Sequence, residues 1–201
     1  MRLYRPVIFW KWLYPGALFR VKTDSRKLYL TFDDGPSPDS TPLILDILEK
    51  HNVTATFFCN GKEAERYPEL PALITSKGHA IGNHGYLHLN GCNSSINEYI
   101  RNAFRADGLT SALLFRPPYG CLRLRQYLGL AKKYKIVFWD LMPYDFDRKI
   151  SSEKVLNIMK KKVRPGSIIV LHDKPSSSVV NILAPFIKYA ENAGYGFSIL
   201  N

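Results

Sequence analysis

The sequence lacks the features that mark several classes of protein. None of its 201 residues lies in an apolar run that approaches about 18 positions, so we predict no membrane-spanning helix. Neither a GxGxxG fingerprint nor a P-loop follows the first predicted strand, which removes the main support for a nucleotide-binding fold. Internal repeats and linkers are missing as well. The length fits one domain, or at most two small ones, and the composition is that of a folded globular chain.

Cysteine is scarce. The three that occur, Cys59, Cys92 and Cys121, are widely spaced and form no CxxC pair. An odd number at such spacing is not the pattern of a disulfide framework or of a cysteine-based zinc site. A chain of this length also buries enough core to fold without either. We therefore expect three free thiols in or near the core.

Acidic residues are few as well. Asp and Glu number 17 against 28 Lys and Arg, a formal net charge of +11. This surplus predicts an anionic membrane, a polyanionic wall or nucleic acid as a partner, but no nucleic-acid motif accompanies the basic runs. Residues 1–20 mix aromatic and basic side chains as at a membrane interface, although a segment packed on the fold is an equal alternative. Lys11 and Pro15 interrupt its apolar stretches, so we predict no cleavable signal and a cytoplasmic or peripherally membrane-associated protein.

From Lys27 onward, β-rich runs alternate with segments of helical apolar spacing. Seven strands alternating with helices predict a parallel α/β fold. We take residues 1–26 as an N-terminal aromatic and basic segment and residues 27–201 as the main domain. The predicted strands are 27–32, 54–58, 79–83, 113–115, 135–139, 167–171 and 197–200. The predicted helices are 42–50, 68–76, 95–105, 124–133, 152–162 and 178–191.

Polar residues lie at the carboxyl ends of several predicted strands. The carboxyl ends of parallel strands in a (β/α) barrel meet at one face, and that face holds the active site. Five unconnected segments therefore direct chemistry toward one mouth. The residues concerned are Asp33, Asp34, His84, Arg116, Asp140, Asp145, His172 and Asp173.

Two of these segments predict a metal site. His84 and His88 stand four positions apart, on one face of a helical turn, and can chelate one cation. With one carboxylate they form the ligand set of a metal centre that keeps open positions, and Asp34 is the natural third ligand. Two adjacent carboxylates are unfavourable unless a cation or a strong donor lies nearby. A metal bound to Asp34 would meet that need and leave Asp33 as a base.

Two further segments predict proton transfer and charge stabilisation. The run Arg116-Pro117-Pro118-Tyr119-Gly120 is rigid, and a backbone N–H after it could serve as an oxyanion donor. Arg116 could hold a carboxylate in its ionised form. His172 follows an apolar strand and is a candidate general acid. Each motif alone also fits a plain structural role, such as a loop cap, packed histidines or a corner of the chain.

Taken together, the motifs resemble those of the NodB-homology polysaccharide deacetylases, carbohydrate esterase family 4. Order and spacing agree over the main domain. The resemblance implies a distorted (β/α)7 barrel with parallel strands and helices outside. It also implies a divalent metal ion, most often Zn²⁺, with Co²⁺, Ni²⁺ or Mn²⁺ as alternatives. The matching segments are 31–35, 84–88, 116–120, 140–146 and 170–173.

The resemblance also implies roles for the central residues. Asp34, His84 and His88 would bind the metal. Asp33 would take the proton of the attacking water, and His172 would protonate the leaving amine.

Supporting roles follow from the same resemblance. Arg116 would orient Asp33, the Tyr119 N–H would stabilise the oxyanion, and Asp145 would support either Arg116 or His172. The residues implied for the acyl pocket are Trp139, Leu171 and Phe146.

Two positions depart from the family pattern. Gly85 stands where the family usually has Ser or Thr, which puts the rigidity of that loop in doubt. Phe146 stands where the family usually has Trp, which keeps an aromatic wall without the indole N–H.

The expected function is that of a metal-dependent hydrolase that removes N-acetyl groups from an amino sugar or glycan such as a chitin oligosaccharide or peptidoglycan. One alternative keeps the fold but changes the substrate, as a deformylase of a lipid-linked amino sugar or an O-acetyl esterase. A third is a non-catalytic sugar-binding protein. We expect a monomer with an acetylated glycan as substrate, no nucleic-acid partner and peripheral contact with an anionic membrane or wall.

Overall fold

Seven strands are present, each close to its predicted place, in the computed structural model, which describes residues 3–6, 9–110 and 112–200. Most are shorter than predicted or shifted by one or two residues. The strands are β1 Lys27–Asp33, β2 Thr56–Cys59, β3 Ala80–Asn83, β4 Leu114–Phe115, β5 Lys135–Ile136, β6 Ile168–His172 and β7 Gly196–Phe197.

The helices include three that the sequence did not predict: α1 Phe9–Leu13, α3 Gly61–Arg66 and α6 Asp107–Thr110. The α3 helix is short but capped, because the Asn60 side chain accepts a hydrogen bond from the Lys62 N–H. The helices are α1 Phe9–Leu13, α2 Thr41–Lys50, α3 Gly61–Arg66, α4 Glu69–Ser76, α5 Ile96–Arg105, α6 Asp107–Thr110, α7 Leu124–Leu130, α8 Ser152–Lys162 and α9 Val179–Asn192.

The sheet is parallel and curls into a barrel. Its strand order is β5-β4-β3-β2-β1-β6, with β7 beside β1. The outer strands of this order are β5 and β6. Leu141, which follows β5 in the chain, forms a parallel bridge with Ile169 of β6, and this contact brings the two edges of the sheet together. The predicted distorted (β/α)7 barrel is confirmed.

The two faces of β1 have different surroundings, because side chains alternate along a strand. Leu28, Leu30 and Phe32 pack in the main hydrophobic core with residues of α2 and α9. Tyr29 belongs to a second buried cluster, with Phe58 of the neighbouring strand. The strand is buried along almost its whole length, as expected for the centre of a parallel sheet.

The N-terminal segment lies against the β5 side of the barrel. Leu18 pairs in parallel with Val137, and its carbonyl accepts a hydrogen bond of 2.8 Å from the Phe138 N–H. The Phe19 ring stacks on Phe138 at 4.8 Å. Regular pairing of β5 ends at Ile136, although the sequence predicts a strand over 135–139, because the neighbouring strand β4 ends at Phe115.

The expectation of three free thiols is wrong. Cys92 and Cys121 form a disulfide across a sequence separation of 29 residues, whereas Cys59 is a free, buried thiol of β2. The spacing of the cysteines did not predict this disulfide, because the fold brings the two residues together from positions far apart in the sequence. Among the described residues, no helix has both the length and the apolar character needed to cross a membrane.

Candidate active site

The predicted chemistry gathers at the carboxyl edge of the sheet. Asp33 is the last residue of β1 and stands in register with His172, the last residue of β6. His84 follows β3 directly, and Arg116 follows β4. Parallel pairing therefore brings four separate segments to the same mouth of the barrel.

The three expected metal ligands form a compact cluster. Asp34 Oδ1 lies 2.8 Å from His88 Nε2 and 3.5 Å from His84 Nε2. The candidate ligand atoms all lie within 4.8 Å of one another. Burial alone would raise the pKa of Asp34, but hydrogen bonds with His84 and His88 outweigh it and hold that pKa well below its usual range.

The tautomer of His84 suits a metal. Its Nδ1 lies 2.8 Å from the carbonyl oxygen of Arg116. A carbonyl oxygen can only accept, so Nδ1 carries a proton, and Nε2, which faces Asp34, is the nitrogen that would offer its lone pair to a metal. Such a partner on the far ring nitrogen is usual for metal-binding histidines. The donor set, two imidazoles and one carboxylate, fits a divalent transition metal such as zinc.

Lys174 is a site residue that sequence reasoning missed. Its Nζ lies 2.7 Å from Asp34 Oδ2, the carboxylate oxygen that does not contact the two histidines. The only available signal was its position directly after His172 and Asp173, and position alone does not say where a long side chain points.

Asp33 is held by a buried arginine. Arg116 Nη1 donates to Asp33 Oδ1 at 2.6 Å and to Thr31 Oγ1 at 2.7 Å. Nη2 donates to the Phe138 carbonyl at 3.1 Å, and the guanidinium lies 4.0 Å from the centre of the Phe58 ring. Burial lowers the pKa of Arg116, while Asp33 opposes that change. The guanidinium remains the donor that fixes the direction of the Asp33 carboxylate.

His172 is paired with Asp145. Its Nδ1 lies 2.9 Å from Asp145 Oδ1, and its backbone N–H donates to Asp145 Oδ2 at 2.8 Å. Of the two partners expected for Asp145, the structure thus gives His172. Burial alone would lower the pKa of His172, but the Asp145 charge and hydrogen bond outweigh it, so the net shift is upward. The Phe146 ring packs 4.5 Å from the imidazole.

These groups line one cavity of about 310 Å³. Leu171 does not reach it, because this side chain is fully buried in the core on the other face of β6. Val170 lies two positions before His172, shares its face and lines the cavity instead. The lining residues are Asp33, Asp34, His84, His88, Arg116, Pro117, Tyr119, Gly120, Trp139, Met142, Phe146, Val170, His172 and Lys174.

The turn Pro118–Gly120 shapes one wall. Tyr119 has a φ of 59°, in the left-handed region, and its ring lies 4.7 Å from that of His88. Gly120 has a φ of 64°, and a Cβ there would come within 2.4 Å of the Trp139 ring. Glycine therefore allows Trp139 to pack against the turn, and the indole closes one side of the cavity.

The loop that contains Gly85 is well held. The Gly85 N–H donates to the Asn83 side chain at 2.7 Å, and the Leu87 N–H donates to the Asn102 side chain at 2.8 Å. With a φ of 76°, Gly85 occupies a conformation that a Ser or Thr there would rarely adopt. Two asparagines thus hold the loop that lacks the family's usual hydroxyl.

Two aspartates expected at the mouth have other roles. Asp140 is turned away, because it accepts hydrogen bonds from Ser167 at 2.6 Å and from Arg164, both of which precede β6. Asp173 lies beneath the Asp34 loop and accepts hydrogen bonds of 2.6 and 2.5 Å from Ser40 and Thr41. Burial, partly offset by these hydroxyls, raises the pKa of Asp173 to about 6.

The fold and the site define a class: a parallel barrel whose mouth carries a two-histidine, one-carboxylate cluster together with a second carboxylate and a third imidazole. The polysaccharide deacetylase family model matches residues 20–139. The chain belongs to this family.

Individual proteins similar to this chain are deacetylases. The chain is 34% identical over 187 residues to a peptidoglycan-N-acetylglucosamine deacetylase of Bacillus cereus, covering 88% of this chain and 68% of that one. It is 35% identical over 167 residues to a chitooligosaccharide deacetylase of Azorhizobium caulinodans, covering 79% of each. A crystal structure of a peptidoglycan N-acetylglucosamine deacetylase superposes with a TM-score of 0.89 at 30% identity, covering 97% of this chain and 95% of that one.

Proposed function

We propose that the protein is a metal-dependent hydrolase that removes N-acetyl groups from an N-acetylated amino sugar within a glycan. One observation carries the proposal. The candidate metal ligands, an arginine-held carboxylate and a carboxylate-held imidazole all line one cavity. The names of the relatives, which are deacetylases of peptidoglycan and of chitooligosaccharides, support this substrate class.

Asp34, His84 and His88 would hold the metal, for which we propose Zn²⁺, although Co²⁺, Ni²⁺ or Mn²⁺ suit the same donors. When bound, such an ion polarises the amide carbonyl and lowers the pKa of a coordinated water. The hydrogen bond from His84 Nδ1 to the Arg116 carbonyl keeps the ring in the orientation that ligation needs.

Amide hydrolysis needs a base for water and an acid for the leaving nitrogen. We assign Asp33 as the base, since the hydrogen bond from Arg116 fixes the direction of its carboxylate. We assign His172 as the acid, because Asp145 stabilises the imidazolium and keeps a proton available near neutral pH. The backbone N–H of Tyr119, held by the rigid turn, would stabilise the developing oxyanion.

The acyl group would lie against the apolar side chains that line the cavity. Trp139, Val170 and Phe146 are among these side chains, and the Trp139 ring is fixed against Gly120. A wall that includes the buried Trp139 ring favours a small acyl group such as acetyl.

The proposal is tested by acetate release from chito-oligosaccharides and peptidoglycan fragments, before and after chelation and metal restoration. Asp33→Asn should retain the metal and lose turnover, and retained turnover would contradict the base assignment. Acetylated xylan and a formylated amino sugar, tested alongside, separate the ester and deformylase alternatives. If no acylated sugar is hydrolysed in a chelator-sensitive way, the protein is not such an enzyme.

The disulfide also bears on location. Disulfides persist in oxidising compartments and are rare in the cytoplasm. The pair Cys92–Cys121 thus favours a site of action outside the cytoplasm, where glycan substrates occur, over the cytoplasmic location predicted from the sequence. The basic surface, with a net charge of +11, would favour an anionic wall or membrane nearby. We propose a monomer without a nucleic-acid partner.

A further inference from the structure

The disulfide joins two loops of the proposed site. Cys92 follows His88 by four positions in the loop after β3, and Cys121 follows Tyr119 by two positions after the turn Pro118–Gly120. Their Cα atoms lie 5.7 Å apart. The cross-link therefore sits close to one candidate metal ligand and one candidate oxyanion donor at the same time.

We infer that the Cys92–Cys121 disulfide is a positioning element of the proposed site. It would hold His88 and the Tyr119 turn in their mutual arrangement, so that metal affinity and turnover depend on the cross-link. The inference rests on the proposed function for turnover, whereas its metal-binding part stands on the ligand cluster alone.

Contacts around the disulfide press the same two segments together. Gln126 is fully buried, and its Nε2 donates to the Gly91 carbonyl at 2.9 Å. Its Oε1 accepts a hydrogen bond of 2.9 Å from the Arg123 N–H. A Cβ on Gly91 would come within 2.3 Å of the Cys121 carbonyl oxygen. The backbone after His88 is thus seated directly on the backbone after Tyr119.

Both site residues adopt a backbone conformation that needs such support. His88 has a φ of 52° and Tyr119 a φ of 59°, and neither is glycine. Side chains with a Cβ rarely occupy this region unless the surroundings hold them there. The Asn102 side chain fastens the loop on the near side of His88, at Leu87. After His88, the disulfide at Cys92 and the hydrogen bond from Gln126 to the Gly91 carbonyl hold the loop in place.

A disulfide that closes a long loop also stabilises the fold as a whole, and this effect must be separated from positioning. The separating quantity is the state of the metal cluster in protein that is still folded. General stabilisation changes the unfolding temperature only. Positioning changes the geometry and affinity of a site that contains His88.

The test compares wild type with Cys92→Ser/Cys121→Ser, and uses Cys59→Ala as the control for loss of a thiol elsewhere. Zn²⁺ affinity is measured by chelator competition, the ligand field by visible absorption of the Co²⁺ form, and kcat and KM on a chito-oligosaccharide. Loss of an outer support of a metal ligand typically weakens binding about tenfold or more. We expect that loss in the double variant, with an altered Co²⁺ spectrum and a larger change in kcat than in KM. The control should match wild type.

Reduction of wild type provides a second route if the double variant does not fold. The protein is reduced with a phosphine, freed of reductant under nitrogen, measured with Zn²⁺ and Co²⁺, and then reoxidised. Weaker binding that returns on reoxidation supports the inference. Unchanged affinity and spectrum with a lower unfolding temperature overturn it, and so does unfolding on reduction. If wild type hydrolyses no acylated sugar yet its metal affinity depends on the disulfide, the proposed function fails and the positioning role stands.

Discussion

Replacing Asp145 by Asn tests the acid assignment without removing the acid. The carboxylate accepts two hydrogen bonds from His172, one from Nδ1 at 2.9 Å and one from the backbone N–H at 2.8 Å. An asparagine has almost the same shape but only one acceptor oxygen, which can keep the bond from the backbone N–H. Its NH2 group then faces Nδ1 and favours the neutral ring, and the negative charge that stabilises the imidazolium is lost.

The magnitude follows from the kind of hydrogen bond that is changed. A bond to a charged partner contributes about 1.5–3 kcal/mol and a neutral one about 1 kcal/mol. A difference of about 1–2 kcal/mol corresponds to roughly one pKa unit. The charge of Asp145 raises the pKa of His172, so its removal lowers that pKa. We expect the alkaline limb of the kcat/KM profile to move down by about one pH unit.

The assay is acetate release from a chito-oligosaccharide across the pH range, with the metal kept saturating. Asp46→Asn, an exposed position on α2, is the control for the same change in net charge. An alkaline limb that stays in place while kcat falls uniformly would show that His172 is not the titrating acid.

Three further changes have expected outcomes. Arg116→Met leaves Asp33 buried without its partner and should cost about 3–5 kcal/mol in the free energy of unfolding, measured by urea denaturation; an unchanged midpoint would contradict the pairing. Gly120→Ala should lower the free energy of unfolding by about 1–3 kcal/mol more than Gly78→Ala does, and it should also lower kcat/KM. Both positions have positive φ, but only a Cβ at Gly120 would clash with an indole ring. Burial, assisted by Lys77, lowers the pKa of His79 to about 4 from 6.5, so the unfolded chain binds more protons between these values. Wild type should therefore lose stability as pH falls through that window, and a His79→Gln variant should show a flatter melting-temperature profile.

The sequence predicted the parts of the fold that depend on local chemistry. Ser95 and Glu98 form the capping box expected at the start of α5, and α8 has the predicted bounds. Residues at strand ends also met as predicted, since the parallel arrangement brings Asp33 and His172 into register whatever the loops do.

The remaining features depend on contacts between distant segments. Leu18 pairs with Val137 across a separation of more than a hundred positions, and the Cys92–Cys121 disulfide spans elements that only the fold brings together. Asp140 turns toward Arg164, a partner 24 positions away, which spacing does not reveal. The exchange of Leu171 for Val170 in the cavity is different, because strand alternation with His172 could have predicted it.

The pairing of Leu18 with the β5 side has a consequence for anyone who would transplant this barrel. A graft that starts at Lys27 would strip the partner from the Phe138 N–H and uncover the ring on which Phe19 stacks. The result is an open strand edge beside an apolar surface, the usual template for intermolecular association. The smallest portable unit therefore begins upstream of Leu18, and the wall that presents Trp139 travels with it.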